Sequence, residues 1–187
     1  VFQITFVIGF CKILEAYIDK KEACLNKDPK KQIKGEDEPY PGYDLLFCFA
    51  AIWSMGGILT DKDGIDYKRN FSDWFRQNFK QYKIPPKGTV FDYFVIMDPE
   101  NPRFEEWTKK IEEVEYHPGE NIKYITVQTS ETVSVSELME KLLDVGHPSL
   151  LIGMAGCGKT QIANGMLESN RRKNEKNNSF TFVSVAF

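Results

Sequence analysis

The chain has 187 residues, 42% of them hydrophobic and 27% charged, with a net charge of -3; that is enough for one or two domains with a core, and it exerts no general electrostatic pull on nucleic acid. Four scattered cysteines (Cys11, Cys24, Cys48, Cys157) without a C-x-x-C pair, and two isolated histidines (His117, His147), argue against a zinc site or a disulfide framework and fit a reducing, intracellular setting. The apolar start, Val1 to Phe10, gives way at Lys12 and Glu15, short of the about 20 apolar residues of a membrane span, and it lacks a signal peptide's charged leader and cleavage site, so neither nucleic acid nor membrane is expected as a partner.

Val1 to about Lys20 reads as a helix, with Phe6, Phe10, Ile13, Leu14 and Tyr17 at helical spacing. Lys20 to Gly42 is charged and contains proline, and is expected to be a surface connector. Tyr43 to Leu59 is apolar on nearly all sides, as a helix buried against several neighbours would be; Gly56-Gly57 is expected to bend or end it. Gly64 to Tyr82 reads as one amphipathic helix, with Tyr67, Phe71, Trp74, Phe75 and Phe79 as its core stripe. Ile84 to Gly88 breaks the pattern. Thr89 to Ile96 reads as a strand, Asp98 to Pro102 as a turn, and Phe104 and Trp107 as anchors of the next segment. Asp92 and Asp98 have no base or metal partner in the pattern and are assigned turn and surface roles.

Tyr124 to Gln128 alternates like a strand. Thr129 or Ser130 then caps a helix reaching about Val145, with Glu131 at its positive end. That helix is expected to bury Val135, Leu138, Met139, Leu142 and Leu143, and to stop at Gly146 and Pro148. Leu150 to Ile152 reads as a buried strand. It leads into Gly153-Met154-Ala155-Gly156-Cys157-Gly158-Lys159-Thr160, the phosphate-binding loop pattern, and a helix from Lys159 to about Leu167. Backbone amides of this loop and the helix N-terminus are suited to cradle phosphate oxygens. Lys159 would reach the β- and γ-phosphates and Thr160 would bind magnesium; Gln161 completes the set. Cys157 occupies a free position of the loop. Arg171 to Asn178 reads as a polar loop and Phe180 to Phe187 as a second strand.

With this order in hand the chain resembles the motor region of axonemal dynein heavy chains, in which AAA+ modules are strung on one polypeptide. The matching residues are Phe49-Ala50-Ala51-Ile52-Trp53-Ser54-Met55-Gly56-Gly57, Asp66 to Phe75, Gly88-Thr89-Val90-Phe91-Asp92-Tyr93, Asp98-Pro99, Phe104 and Trp107, Gln128-Thr129-Ser130-Glu131-Thr132, and the phosphate loop. The best register is the end of the second AAA module and the start of the third. The resemblance implies a partial α/β P-loop NTPase (AAA+) large subdomain at residues 122–187, preceded by an α-helical lid subdomain of the preceding module at 1–82 and a short β-containing extension at 83–121. It further implies ATP or ADP with Mg at the loop, and Val127, Gln128 and Thr129 on the adenine side. Its partners would be adjacent modules of the same chain, with other dynein subunits and microtubules reached through the full-length protein, in the cytoskeleton of the ciliary axoneme.

An ATPase of this class also needs an acidic strand that holds magnesium and activates water. No such strand follows Thr160 in this sequence, which therefore reads as cut from something longer, and the isolated segment is expected to have no catalytic residues and no turnover. Two other readings stand beside the motor segment. A small P-loop kinase would carry its loop near the start of the domain, whereas here it lies near the end. A structural ring segment with an empty nucleotide site differs only in failing to bind nucleotide.

Overall fold

The computed structural model describes residues 2–25, 42–98, 100–112 and 127–173. The first helix, α1 (Phe2–Leu25), runs about five residues past the end expected near Lys20. Lys21, Glu22, Ala23 and Leu25 favour helix, and neither glycine nor proline intervenes before Pro29. The rest of the expected connector, residues 26–41, lies outside the described residues. The second helix, α2 (Tyr43–Gly56), buries Leu45, Leu46, Cys48, Phe49, Ala50 and Ile52, as its apolar character on nearly all sides required. It ends at Gly56, where two aromatic rings crowd the backbone. A Cβ on Gly56 would lie 2.5 Å from the Phe91 ring and 2.7 Å from that of Phe71.

The single helix expected from Gly64 to Tyr82 is instead a hairpin followed by a shorter helix. Strands β1 (Asp61–Lys62) and β2 (Ile65–Asp66) pair antiparallel around Asp63-Gly64. Both turn residues take positive φ, 53° and 77°, as a two-residue Asp-Gly hairpin turn demands. Helix α3 (Tyr67–Asn78) then starts at Asp66, whose side chain accepts from the Arg69 amide at 2.7 Å. Of its expected core stripe, Phe75 is buried and Phe71 and Phe79 half-buried, while Tyr67 and Trp74 are exposed. A 3-10 turn follows at Lys80–Tyr82.

The next stretch is clamped onto α3. Arg76 donates to the carbonyls of Pro85, Lys87 and Gly88 at 2.8, 3.2 and 2.8 Å. Buried Ser72 accepts from the Val90 amide at 3.0 Å. The strand expected from Thr89 begins late, since Thr89 and Asp92 form a reciprocal capping box over a 3-10 turn, Val90–Asp92. Strand β3 (Tyr93–Ile96) pairs antiparallel with β4 (Arg103–Glu106), from Tyr93↔Glu106 to Ile96↔Arg103. In the connecting turn Asp98 accepts from the Glu100 amide at 3.0 Å. After β4 a 3-10 turn, Trp107–Lys110, places Trp107 fully buried against the rings of Phe94 and Phe49.

Two apolar clusters result, and α2 belongs to both. One joins Cys48 and Ile52 of α2 to Phe75 of α3 and to Val90 and Phe91. The other joins Leu46 and Phe49 of α2 to Phe94 and Trp107, with Ile13, Leu14, Tyr17 and Ile18 of α1 packed against it. Val133 and Leu138 reach the second cluster from helix α4 (Ser130–Asp144). Thr129 caps α4, as expected, accepting from the Thr132 amide at 3.2 Å. Of the residues α4 was expected to bury, Val135, Leu138, Met139 and Leu142 are half-covered and Leu143 is exposed; the buried residue is Ser134. The helix is covered from two sides, by α1 and the Trp107 turn and by α5 (Lys159–Lys173), and neither cover reaches Leu143.

Leu150–Ile152 forms no strand. Leu150 and Ile152 are 81% and 86% exposed, and no strand among the described residues pairs with them. A strand exists only by hydrogen-bonding to a neighbour, and an apolar run alone does not supply one. Of the other expected strands, residues 124–126 and 180–187 lie outside the described residues, and Val127 and Gln128 are irregular. Helix α5 outruns its expected end at Leu167 and includes Arg171, Arg172 and Lys173, which were expected in a loop. Arg171 pairs with Glu168 one turn back at 2.6 Å, a favourable helical spacing. No helix among the described residues is long and apolar enough to cross a membrane.

Candidate functional site

Helix α4 ends in a Schellman motif that sets the direction of the segment behind it. The Gly146 amide donates to Leu143 and the His147 amide to Leu142, at 2.9 and 2.8 Å. Pro148 prevents continuation. The chain runs irregularly to Met154, turns at Ala155-Gly156, bends at Cys157-Gly158 and enters α5 at Lys159. Gly156 and Gly158 have φ of 81° and 82°, values that a residue with a Cβ adopts only at a cost. The Gly158 carbonyl accepts the first helical bond, from the Ile162 amide at 3.0 Å. The backbone is therefore curled immediately before a helix N-terminus, where amide groups have no intrahelical acceptor.

Lys159 lies across this curl. Its Nζ donates to the carbonyls of Gly153 and Met154 at 2.9 and 2.6 Å and sits 3.4 Å from the Cys157 sulfur. Gly153 leaves room for that sulfur, since a Cβ there would come within 2.9 Å of it. Residues Gly153, Met154, Ala155, Gly156, Cys157 and Gly158 are all exposed, as are Thr160 and Gln161. The loop is thus open, and its one cation is held by two carbonyls and the Cys157 sulfur, partners that a phosphate oxygen could replace. An anion gains from both the ammonium charge and the helix dipole.

Between α4 and α5 lies a cavity of about 510 Å³ lined by residues that include Gln128, Thr132, Glu137, Gln161, Ile162 and Met166. It brings together two of the residues nominated from the sequence, Gln128 and Gln161. Gln128 is also tied down, its Oε1 accepting from the Glu112 amide at 2.9 Å. Val127 is 68% exposed, and the Thr129 hydroxyl is occupied in capping α4. Lys110 lines the cavity too and pairs with Glu137 at 2.5 Å, which offsets one carboxylate on that wall. The sequence did not single out Thr132, Ile162, Met166 or the Lys110–Glu137 pair. Helical spacing puts Thr132, Ser136 and Glu140 on one face of α4, and Gln161, Gly165 and Ser169 on one face of α5. No local signal shows that the two faces oppose each other.

The chain matches two families along its length. Residues 1–109 match the dynein heavy chain AAA lid domain, and residues 114–186 match the P-loop containing dynein motor region. It is 35% identical over 167 residues to the dynein alpha chain of the flagellar outer arm of Chlamydomonas reinhardtii, covering 89% of this chain and 3% of that protein. It is 39% identical over 133 residues to dynein axonemal heavy chain 9 of Homo sapiens, and 38% identical over 133 residues to the ciliary dynein beta chain of Tripneustes gratilla. Each of these covers 71% of this chain and 3% of the relative. The chain therefore spans about 3% of the length of these curated relatives.

Proposed function

This chain belongs to the dynein heavy-chain family, and from that premise we propose that it is a segment of the motor ring that binds ATP or ADP at Gly153–Thr160 and passes the state of that site to the helices upstream. Residues 1–82 are the lid of one AAA module, the second, and residues 83–121 link modules. Residues 122–187 open the large subdomain of the third. The observation that carries the reading is the open, curled loop with Lys159 lying across it. The amides of Gly153 to Lys159 hold phosphate oxygens, and Lys159 exchanges its carbonyl partners for them. The exposed Thr160 hydroxyl and the phosphates hold Mg, which supplies charge neutralisation. Gln161 completes the loop set, and Val127, Gln128 and Thr129 serve the adenine side, Gln128 from the wall of the cavity between α4 and α5.

As part of a whole heavy chain this segment works against adjacent AAA modules, and through them with other dynein subunits and microtubules in the ciliary axoneme. Nucleotide-dependent change in the angle of a lid is the general way such a ring passes a signal on. The test is thermal unfolding of the chain with Mg and increasing ADP or ATP. A site filled at about one hundred times its dissociation constant stabilises the folded state by about 2.7 kcal/mol. The melting temperature is expected to rise with nucleotide and to stay flat in Lys159→Ala. An unmoved melting temperature in millimolar ADP and Mg would favour the structural segment with an empty site.

A further inference from the structure

Among the described residues, His147 is the last before the phosphate loop with both a backbone and a side-chain hydrogen bond. Its amide closes the cap of α4, donating to the Leu142 carbonyl at 2.8 Å. Its Nε2 lies 2.7 Å from Oε2 of Glu15, on α1, 132 positions earlier in the chain. A carboxylate only accepts, so the imidazole is the donor. Beyond His147, every residue from Pro148 to Gly158 is exposed except half-buried Leu151, and none of Pro148 to Ile152 belongs to a helix or strand. The lead-in from His147 to Gly153 is at most about 20 Å of chain, so the place of His147 limits where the loop entry can lie.

From this placement we infer that the Glu15–His147 hydrogen bond is a positioning joint. Through it the upstream helical part holds the entry to the phosphate loop, and nucleotide at the loop and the seating of α1 on α4 stabilise each other. The inference rests on the nucleotide reading proposed above. It uses a contact outside the loop, between residues that touch no phosphate. The neighbouring contacts, the Lys141 ammonium 5.5 Å from the Tyr17 ring centre and Leu138 against the same Phe49–Trp107 cluster that α1 packs on, seat α4 beside α1 but do not reach past its cap. Coupling of this kind is reciprocal: what the joint adds to nucleotide affinity, nucleotide adds to the joint. The Glu15 side chain is 51% exposed, so the effect is modest, about two- to five-fold in affinity.

Calorimetric titration of the 187-residue chain with ADP and Mg tests the joint in wild type, Glu15→Ala, His147→Ala, the double variant and His147→Arg. Each alanine is expected to weaken binding about two- to five-fold. The double variant should be no weaker than the worse single, because both remove the same bond. His147→Arg, which keeps a donor, should return to within about twofold of wild type. Hydrogen exchange of α1 should slow on adding ADP in wild type and not in His147→Ala, a response that loss of packing alone would not produce. Circular dichroism checks each fold, and Glu15→Met or His147→Phe, which remove the bond but keep the bulk, replaces an alanine variant that unfolds. Unchanged affinities, or a double variant as weak as the product of the singles, overturn the joint. If wild type binds and Lys159→Ala does not, that failure belongs to the joint alone; if wild type does not bind, the nucleotide reading and the joint fall together.

Discussion

Gly56 and Cys48 sit on one helix and illustrate what single residues do in this fold. On helix propensity alone Gly56→Ala should stabilise α2 by up to about 1 kcal/mol. The structure reverses the sign, because the new methyl would meet the Phe91 and Phe71 rings at 2.5 and 2.7 Å. Such overpacking costs about 1–3 kcal/mol, and urea unfolding should show a net loss; a gain would mean the rings move aside freely. Cys48 is 1% exposed, and burial, then the charge of Asp44, pushes its thiol up to about 12. The unfolded thiol ionises near its ordinary value of 9.0, so the unfolded state loses its proton first as pH rises. Stability fully present below pH 9 should therefore decline between about pH 9 and 12, at up to roughly 1.4 kcal/mol per pH unit. Thiol alkylation at pH 8 should modify exposed Cys11 and Cys157 and reach Cys48 only on unfolding. That a helix opens at Lys159 behind a glycine turn was legible, because that pattern is local. The role of Gly56 was not, because the rings that require it come from positions 71 and 91.

Among the elements, the two capped ends of α4 were legible and the strand Leu150–Ile152 was misread, for a physical reason. Thr129, Gly146 and Pro148 act on their own neighbours, and each does in the structure what its chemistry dictates. A strand is completed by a partner elsewhere in the chain: Tyr93–Ile96 pairs with Arg103–Glu106, whereas Leu150–Ile152 pairs with no strand among the described residues and its end residues are exposed. The one local strand signal that went unread was Asp63-Gly64, a hairpin turn hidden in front of a strongly periodic helix. The cap of α4 gives a prediction at this scale. Thr129 and Thr132 satisfy each other's amides, at 3.2 and 2.8 Å. Thr129→Ala should cost about 1 kcal/mol, within the usual 0.5–2, and Thr129→Ser almost nothing. Paired thermal melts decide it; equal loss in both variants would point to the threonine methyl rather than the hydroxyl.

Among the described residues, burial falls from the elements around α2 to α5. Helix α2 lies in both apolar clusters, and Trp53 packs against each of them, so neither cluster can open without exposing it. Among the described residues helix α5 is held mainly by α4, and only Met166 and Asn170 of its described side chains are buried. Local opening follows such differences in buried apolar contact. Amide exchange in α2 should therefore approach the global unfolding rate, while α5 exchanges at least roughly tenfold faster. Adding ADP and Mg at about one hundred times the dissociation constant should slow exchange in the first turn of α5 by about a hundredfold, since opening must then release the ligand. The amides of α3, clamped by Arg76 and remote from the loop, should not respond. Mass-spectrometric exchange with and without nucleotide reads all three. If α5 is as protected as α2 before any nucleotide is added, the segment is rigid throughout, and the loop gains no order on binding. If α5 is labile and stays so with ADP, the loop holds no phosphate.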